Sequence, residues 1–108
     1  MSFNEVTDLK TLKEAKKLKV TVGEKVLLLT LHEGNIYAMN DACPHLKASL
    51  YKGSFEEGVV TCPKHAAQID VTTGEILEKA KILFIKMPVK KATTYETKVE
   101  NDKVYVKI

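Results

Sequence analysis

The sequence predicts an all-β fold with an irregular insertion at residues 40–75. Three observations carry that expectation. Apolar residues recur with a period of two in several short runs, as in 17–22 and 103–108. The runs are separated by turn pairs such as Gly23-Glu24, Gly34-Asn35 and Asn101-Asp102. Helical spacing occurs in a single stretch near the start of the chain.

Taken in order, that helical stretch is residues 8–19, where Leu9, Leu12, Ala15 and Leu18 fall on one helical face. Asp8 is placed as its N-cap, because a carboxylate there accepts backbone N–H groups that lack intrahelical partners. Residues 17–22 alternate and read as a strand, so the helix is expected to stop short of residue 19. Residues 25–31 are Leu-rich and β-branched, and read as a buried strand; residues 36–39 form the next. The first forty residues are therefore mainly an antiparallel meander.

The middle is different. Pro44, Gly53 and Gly58 break any regular pattern between residues 40 and 58. Residues 59–61 are a short strand running directly into Cys62, and residues 67–71 are another. A turn at 72–75 leads to strand character at Ile76 and Leu77. Residues 82–87 are apolar and end at Pro88. The tail from Tyr95 to Ile108 reads as two strands joined at Asn101-Asp102.

At 108 residues the chain is expected to form one domain spanning residues 1–108, with an ordinary buried core. The hydrophobic fraction of 44% is that of a globular protein. The net charge of +3 is modest, and all 17 basic residues are Lys. Without Arg the chain lacks the bidentate forks favoured in phosphate and base recognition, so nucleic acid is not expected as a partner. The longest apolar run near the N-terminus, residues 26–29, is far below the roughly 20 residues needed to span a bilayer. No targeting segment is visible, and a cytoplasmic location is expected. Two cysteines in such a compartment serve as ligands or catalysts more often than as a disulfide.

Both cysteines and two of the three histidines fall in two similar segments, Cys43-Pro44-His45 and Cys62-Pro63-Lys64-His65. Sixteen residues lie between His45 and Cys62. Each Pro stiffens its segment and has no N–H of its own, which leaves following amides free to face anionic sulfur. Two thiolates and two imidazoles make a complete four-donor set for metal. Zinc accepts such a set, though usually with the cysteines grouped and the histidines grouped. One Cys and one His in each segment suits a two-iron centre instead, since each segment then supplies one ligand to each iron.

The C-x-H, sixteen residues, C-x-x-H pattern resembles the binding motif of the Rieske family. Val59-Val60-Thr61-Cys62-Pro63 and residues 69–75 are similar to the region around the second motif of stand-alone Rieske-type ferredoxins, and residues 98–106 resemble their closing hairpin. The likeness runs from about Val26 onward. It implies an antiparallel β-sandwich or small barrel with an inserted cluster-binding subdomain at about 40–75. It implies one [2Fe–2S] cluster on Cys43, His45, Cys62 and His65. Cys43 and Cys62 would bind the inner iron, and His45 and His65 the outer iron that takes up the electron. The implied role is one-electron transfer by a monomer between a reductase and an oxygenase or other acceptor, with no catalytic residues. The alternative is a zinc-stabilised module without redox activity. An oxygenase in its own right would need a mononuclear iron site of two His and a carboxylate. Only His32 remains for that, and it is assigned no role.

The chain departs from the family pattern at several points. Ala66 stands where many members have Gly after the second His. Leu46 or Lys47, and Lys64, stand where high-potential members have an extra disulfide. Ala67 and Ile69 stand where those members have hydroxyl donors to the cluster sulfurs. Fewer donors imply a potential toward the low end of the Rieske range of about −150 to +300 mV. Residues 79–87, before Pro88, are longer than their counterpart in typical members. Exposed imidazoles at His45 and His65 would make the potential fall at alkaline pH. Tyr37, Tyr51 and Phe55 read as core filling, with shielding of the cluster as the alternative. Lys47, Lys52 and Lys64 read as solvated charge, with steering of an acidic partner as the alternative. Asp70 either orients a loop or caps the 72–75 turn.

Overall fold

A computed structural model describes residues 2–42, 49–63, 68–78 and 92–108. The expectations for Pro44, for Leu46, Lys47, Lys64, Ala66 and Ala67, and for residues 79–91 lie outside the described residues.

The chain starts with strand β1 (Phe3–Asp8), which the sequence reading did not anticipate. Helix α1 (Leu9–Ala15) follows, and Asp8 is its N-cap as expected, with the Asp8 carboxylate accepting from the Thr11 N–H at 2.7 Å. The helix ends earlier than residue 19. Lys16 adopts the left-handed conformation at φ 68°, and Leu18 belongs to the next strand.

Strands β2 (Lys17–Val22), β3 (Lys25–His32) and β4 (Asn35–Asn40) form the expected antiparallel meander, with β9 (Thr94–Tyr95) added beside β4. The β3–β4 turn is Glu33-Gly34, one residue earlier than expected, because Gly34 takes φ 81° and Glu33 takes φ 50°. His32 is therefore a strand residue. Strands β10 (Thr97–Glu100) and β11 (Lys103–Lys107) make the expected hairpin, and both Asn101 and Asp102 have positive φ as its two-residue turn requires. The tail thus holds three strands rather than two. The chain leaves the meander after Tyr95 and joins β11 from Thr97, with β1 closing the other side of β11. A third sheet contains β5 (Ser54–Glu56), β6 (Val59–Thr61), β7 (Gln68–Asp70) and β8 (Ile76–Glu78), all antiparallel.

The Leu run of β3 does not alternate because both faces of its sheet are buried. Leu27, Leu29 and Ala38 face a core shared with Leu12, Val104 and Val106. Leu28 and Met39 face a second core, shared with Leu50, Val60, Cys62, Ile69, Val71 and Ala92. The antiparallel sandwich expected from the sequence is thus extended by a third sheet stacked on the far face of the meander.

Candidate metal centre

Of the four expected donors, Cys62 lies within the described residues; Cys43, His45 and His65 lie outside them. Cys62 follows β6 without a break, and its residue surface is 1% exposed. It packs in the second core beside Leu50 and Ile69. Ile69 is fully buried and carries no hydroxyl, so it lines that core with apolar surface alone.

The described residues that flank the two donor-bearing segments meet at one end of the third sheet. Thr61 pairs with Gln68, so residues 62–67 are the connection of the β6–β7 hairpin. Ser54 pairs with Thr61, which places the start of β5 at that same end. The chain reaches β5 through a 3₁₀ turn at Leu50–Lys52, after an antiparallel bridge between Ala42 and Ser49. That bridge brings together the residues on either side of 43–48. The described residues that flank the Cys-Pro-His and Cys-Pro-x-His segments are therefore neighbours in space.

One contact joins these two flanking stems and two more tie the first stem to the meander, and none was legible in the sequence. Gly53 lies against the Thr61 backbone so closely that a Cβ would collide with the Thr61 carbonyl oxygen. The Lys17 ammonium, from β2, donates to the Tyr51 and Gly53 carbonyls at 2.6 Å each. It also lies 5.1 Å from the Tyr51 ring centroid. Asp41, only 3% exposed, accepts from the Tyr51 N–H at 2.8 Å and from the Ser49 hydroxyl at 2.5 Å. Lys19 stands 3.6 Å from the same carboxylate.

The remaining sequence expectations resolve as follows. Tyr37 and Phe55 pack on the core that contains Cys62. Tyr51 does not fill the core: it is 37% exposed, and its ring receives Lys17 instead. Asp70 caps the turn, accepting from both the N–H and the hydroxyl of Thr72 at 2.9 and 2.7 Å. Lys52 is exposed. His32 lies 3.7 Å from Glu33 and against Gly58. Among the described residues no group of three or more His, Cys, Asp or Glu side chains is placed to hold a metal.

The chain matches the Rieske [2Fe–2S] domain family over residues 2–82. The chain belongs to that family. It is 35% identical over 102 residues to the ferredoxin component of the naphthalene 1,2-dioxygenase system of Pseudomonas putida, covering 94% of this chain and 91% of that protein. It is 29% identical over 102 residues to human apoptosis-inducing factor 3, covering 94% of this chain but only 16% of that protein. Among solved structures it superposes on a chain from the complex of reduced oxygenase and oxidized ferredoxin in carbazole 1,9a-dioxygenase. That match has a TM-score of 0.81 and 25% identity, covering 96% of this chain and 91% of that one.

As a Rieske domain the chain has a [2Fe–2S] cluster as its cofactor, and its chemistry is electron carriage rather than catalysis. The described residues fit that group. Cys62 is held in an apolar core directly after β6, in the same cluster as Leu50, which follows the Ala42–Ser49 bridge. Among the described residues no helix is long and apolar enough to cross a membrane.

Proposed function

We propose that this chain carries single electrons from a reductase to an oxygenase or another acceptor, on a cluster held by Cys43, His45, Cys62 and His65. The observation that supports it most is the position of Cys62, buried at the end of β6 in the same core as Leu50, just past the Ala42–Ser49 bridge. The cluster supplies a one-electron couple when bound. The chain supplies the rest. Cys62 gives a thiolate anchored in the apolar core, which excludes water from the inner side of the site. Gly53 packs the first stem against Thr61, Lys17 and Asp41 tie that stem to the meander, and on this reading these contacts fix the spacing of the donor segments.

On this reading residues 40–75 are the cluster-binding subdomain of one domain that spans residues 1–108. The acceptor class follows from the relatives. One is named as the ferredoxin component of a dioxygenase system, and the structural neighbour is a chain from an oxygenase–ferredoxin complex. A monomer in the cytoplasm fits both the small size and two cysteines kept as thiolates. Replacing each donor in turn tests the ligand set. Cys43→Ser, His45→Gln, Cys62→Ser and His65→Gln are each expected to abolish the EPR signal of the reduced protein. A variant that keeps the native signal removes its residue from the set. Transfer to partners is tested by mixing the reduced protein with an oxidised Rieske oxygenase and following bleaching; no transfer would set aside that acceptor class.

A further inference from the structure

Asp41 is a charged side chain placed where charge is costly. It is 3% exposed, and a buried carboxylate persists only when its oxygens are hydrogen-bonded or paired. All of its contacts go to one short stretch of chain and its support. Its carboxylate oxygens accept from the Ser49 hydroxyl and the Tyr51 N–H, and its carbonyl accepts from the Leu50 N–H at 2.7 Å. Its own N–H donates to the Val26 carbonyl at 3.0 Å, which ties it to β3. Lys19 of β2 stands beside the carboxylate. The next residue, Ala42, bridges to Ser49. Asp41 thus ties the residues on either side of 43–48 to each other and to the meander.

We propose that Asp41 is a positioning residue for the first cluster loop: by fixing the loop's two ends it sets how firmly Cys43 and His45 hold the cluster. The inference rests on the reading of Cys43 and His45 as ligands. Closing a loop restricts the conformations its donors explore, so a ligand set with fixed ends loses less entropy on binding. The same carboxylate makes no contact with the β6–β7 loop among the bonds described, so its effect falls on one half of the ligand set.

The test uses purified holoprotein under anaerobic conditions, with a strong iron chelator and the visible absorbance followed in time. Asp41→Ala is expected to lose its cluster about 10- to 100-fold faster than the native chain, and to show shifted or broadened EPR lines. Asp41→Asn is expected to stay within about threefold of native, because its oxygen still accepts from Tyr51 and its amide can donate to Ser49. Asp70→Ala is the control: it removes a carboxylate with two similar bonds at the opposite end of β7, and should leave cluster loss unchanged. If Asp41→Ala does not fold, Ser49→Ala decides, with a smaller acceleration of the same sign expected. A native loss rate in Asp41→Ala, or in Ser49→Ala where that variant decides, overturns the proposal. So does equal acceleration by Asp70→Ala. Failure of the ligand reading shows separately, as a native EPR signal in Cys43→Ser.

Discussion

Gly53→Ala is the substitution that most sharply probes the packing of the two loop stems. Gly53 has φ −84° and ψ 179°, a conformation open to alanine, so backbone strain is not at issue. The cost is steric. A new Cβ would collide with the Thr61 carbonyl oxygen, and would stand 3.0 Å from the Thr61 carbonyl carbon and 3.3 Å from the Leu50 carbonyl oxygen. These are backbone atoms, and Thr61 is held by the β5–β6 and β6–β7 ladders, so neither side yields easily. Overpacking of this kind costs about 1–3 kcal/mol. Alanine recovers about 0.4–1 kcal/mol by restricting the unfolded chain. The net loss is about 1–2 kcal/mol, which at a urea slope of about 2 kcal/mol/M lowers the midpoint by roughly 0.5–1 M. The assay is urea unfolding followed by far-UV circular dichroism at equal cluster loading, with cluster absorbance recorded in parallel. Because Cys62 follows Thr61, the cluster signal should be lost at lower urea as well. Gly23→Ala is the comparison: nothing stands within 4 Å of its Cβ, and its φ of 61° brings only local strain. It should destabilise without changing how the cluster is held. A native midpoint and native cluster retention in Gly53→Ala would refute the tight stem contact.

Other outcomes follow from the same structure. Leu28→Ala and Leu29→Ala each remove a fully buried side chain and should each cost about 2–5 kcal/mol. Only Leu28 faces the core that holds Cys62, so it alone should hasten cluster loss under chelator at a denaturant-free pH 7; equal acceleration by both would deny the two-core separation. The Asp8 carboxyl is held below its ordinary value of 3.8, chiefly by the hydrogen bond from Thr11. Its unfolded form binds the proton more readily, so the cap's contribution is present above about pH 4 and is lost as pH falls through the lowered folded value. Asp8→Asn keeps an acceptor without a titration. The stability difference between native and variant should therefore hold steady above about pH 4 and change below it, as read by urea midpoints across that range; a difference flat into acid would contradict the assignment. The reduction potential should fall toward the low end of about −150 to +300 mV, since Ile69 offers no hydroxyl. Voltammetry giving a value in the upper half of that range would count against it.

Where signals were local, the sequence was sufficient. Asp8 announces a cap because its partner is three residues away, and Asn101-Asp102 announces a hairpin because both strands adjoin it. β1 was missed because its partner, β11, lies at the other end of the chain: Phe3 pairs with Lys107. β6 reads as a strand, but β5 falls in a stretch read as irregular although Glu57-Gly58, flanked by Phe55 and Val60, is a turn signal of the same type as those recognised elsewhere. The donor residues stood out because Cys and His are scarce and clustered. Asp41 and Lys17 did not, because one more Asp and one more Lys carry no signal until β2 is folded against the stem. Lys17 meets Tyr51 and Gly53 across 34 and 36 residues. Tyr51 was misjudged for the same reason, since an aromatic residue reads as core until a cation on another strand is found over its ring.

The most direct test of the central claim is EPR of the dithionite-reduced protein, with iron and acid-labile sulfide counted on the same sample. A rhombic signal with the low average g of mixed His and Cys ligation is expected, at two irons and two sulfides per chain. A colourless, EPR-silent protein that carries zinc when purified from its native source would contradict it.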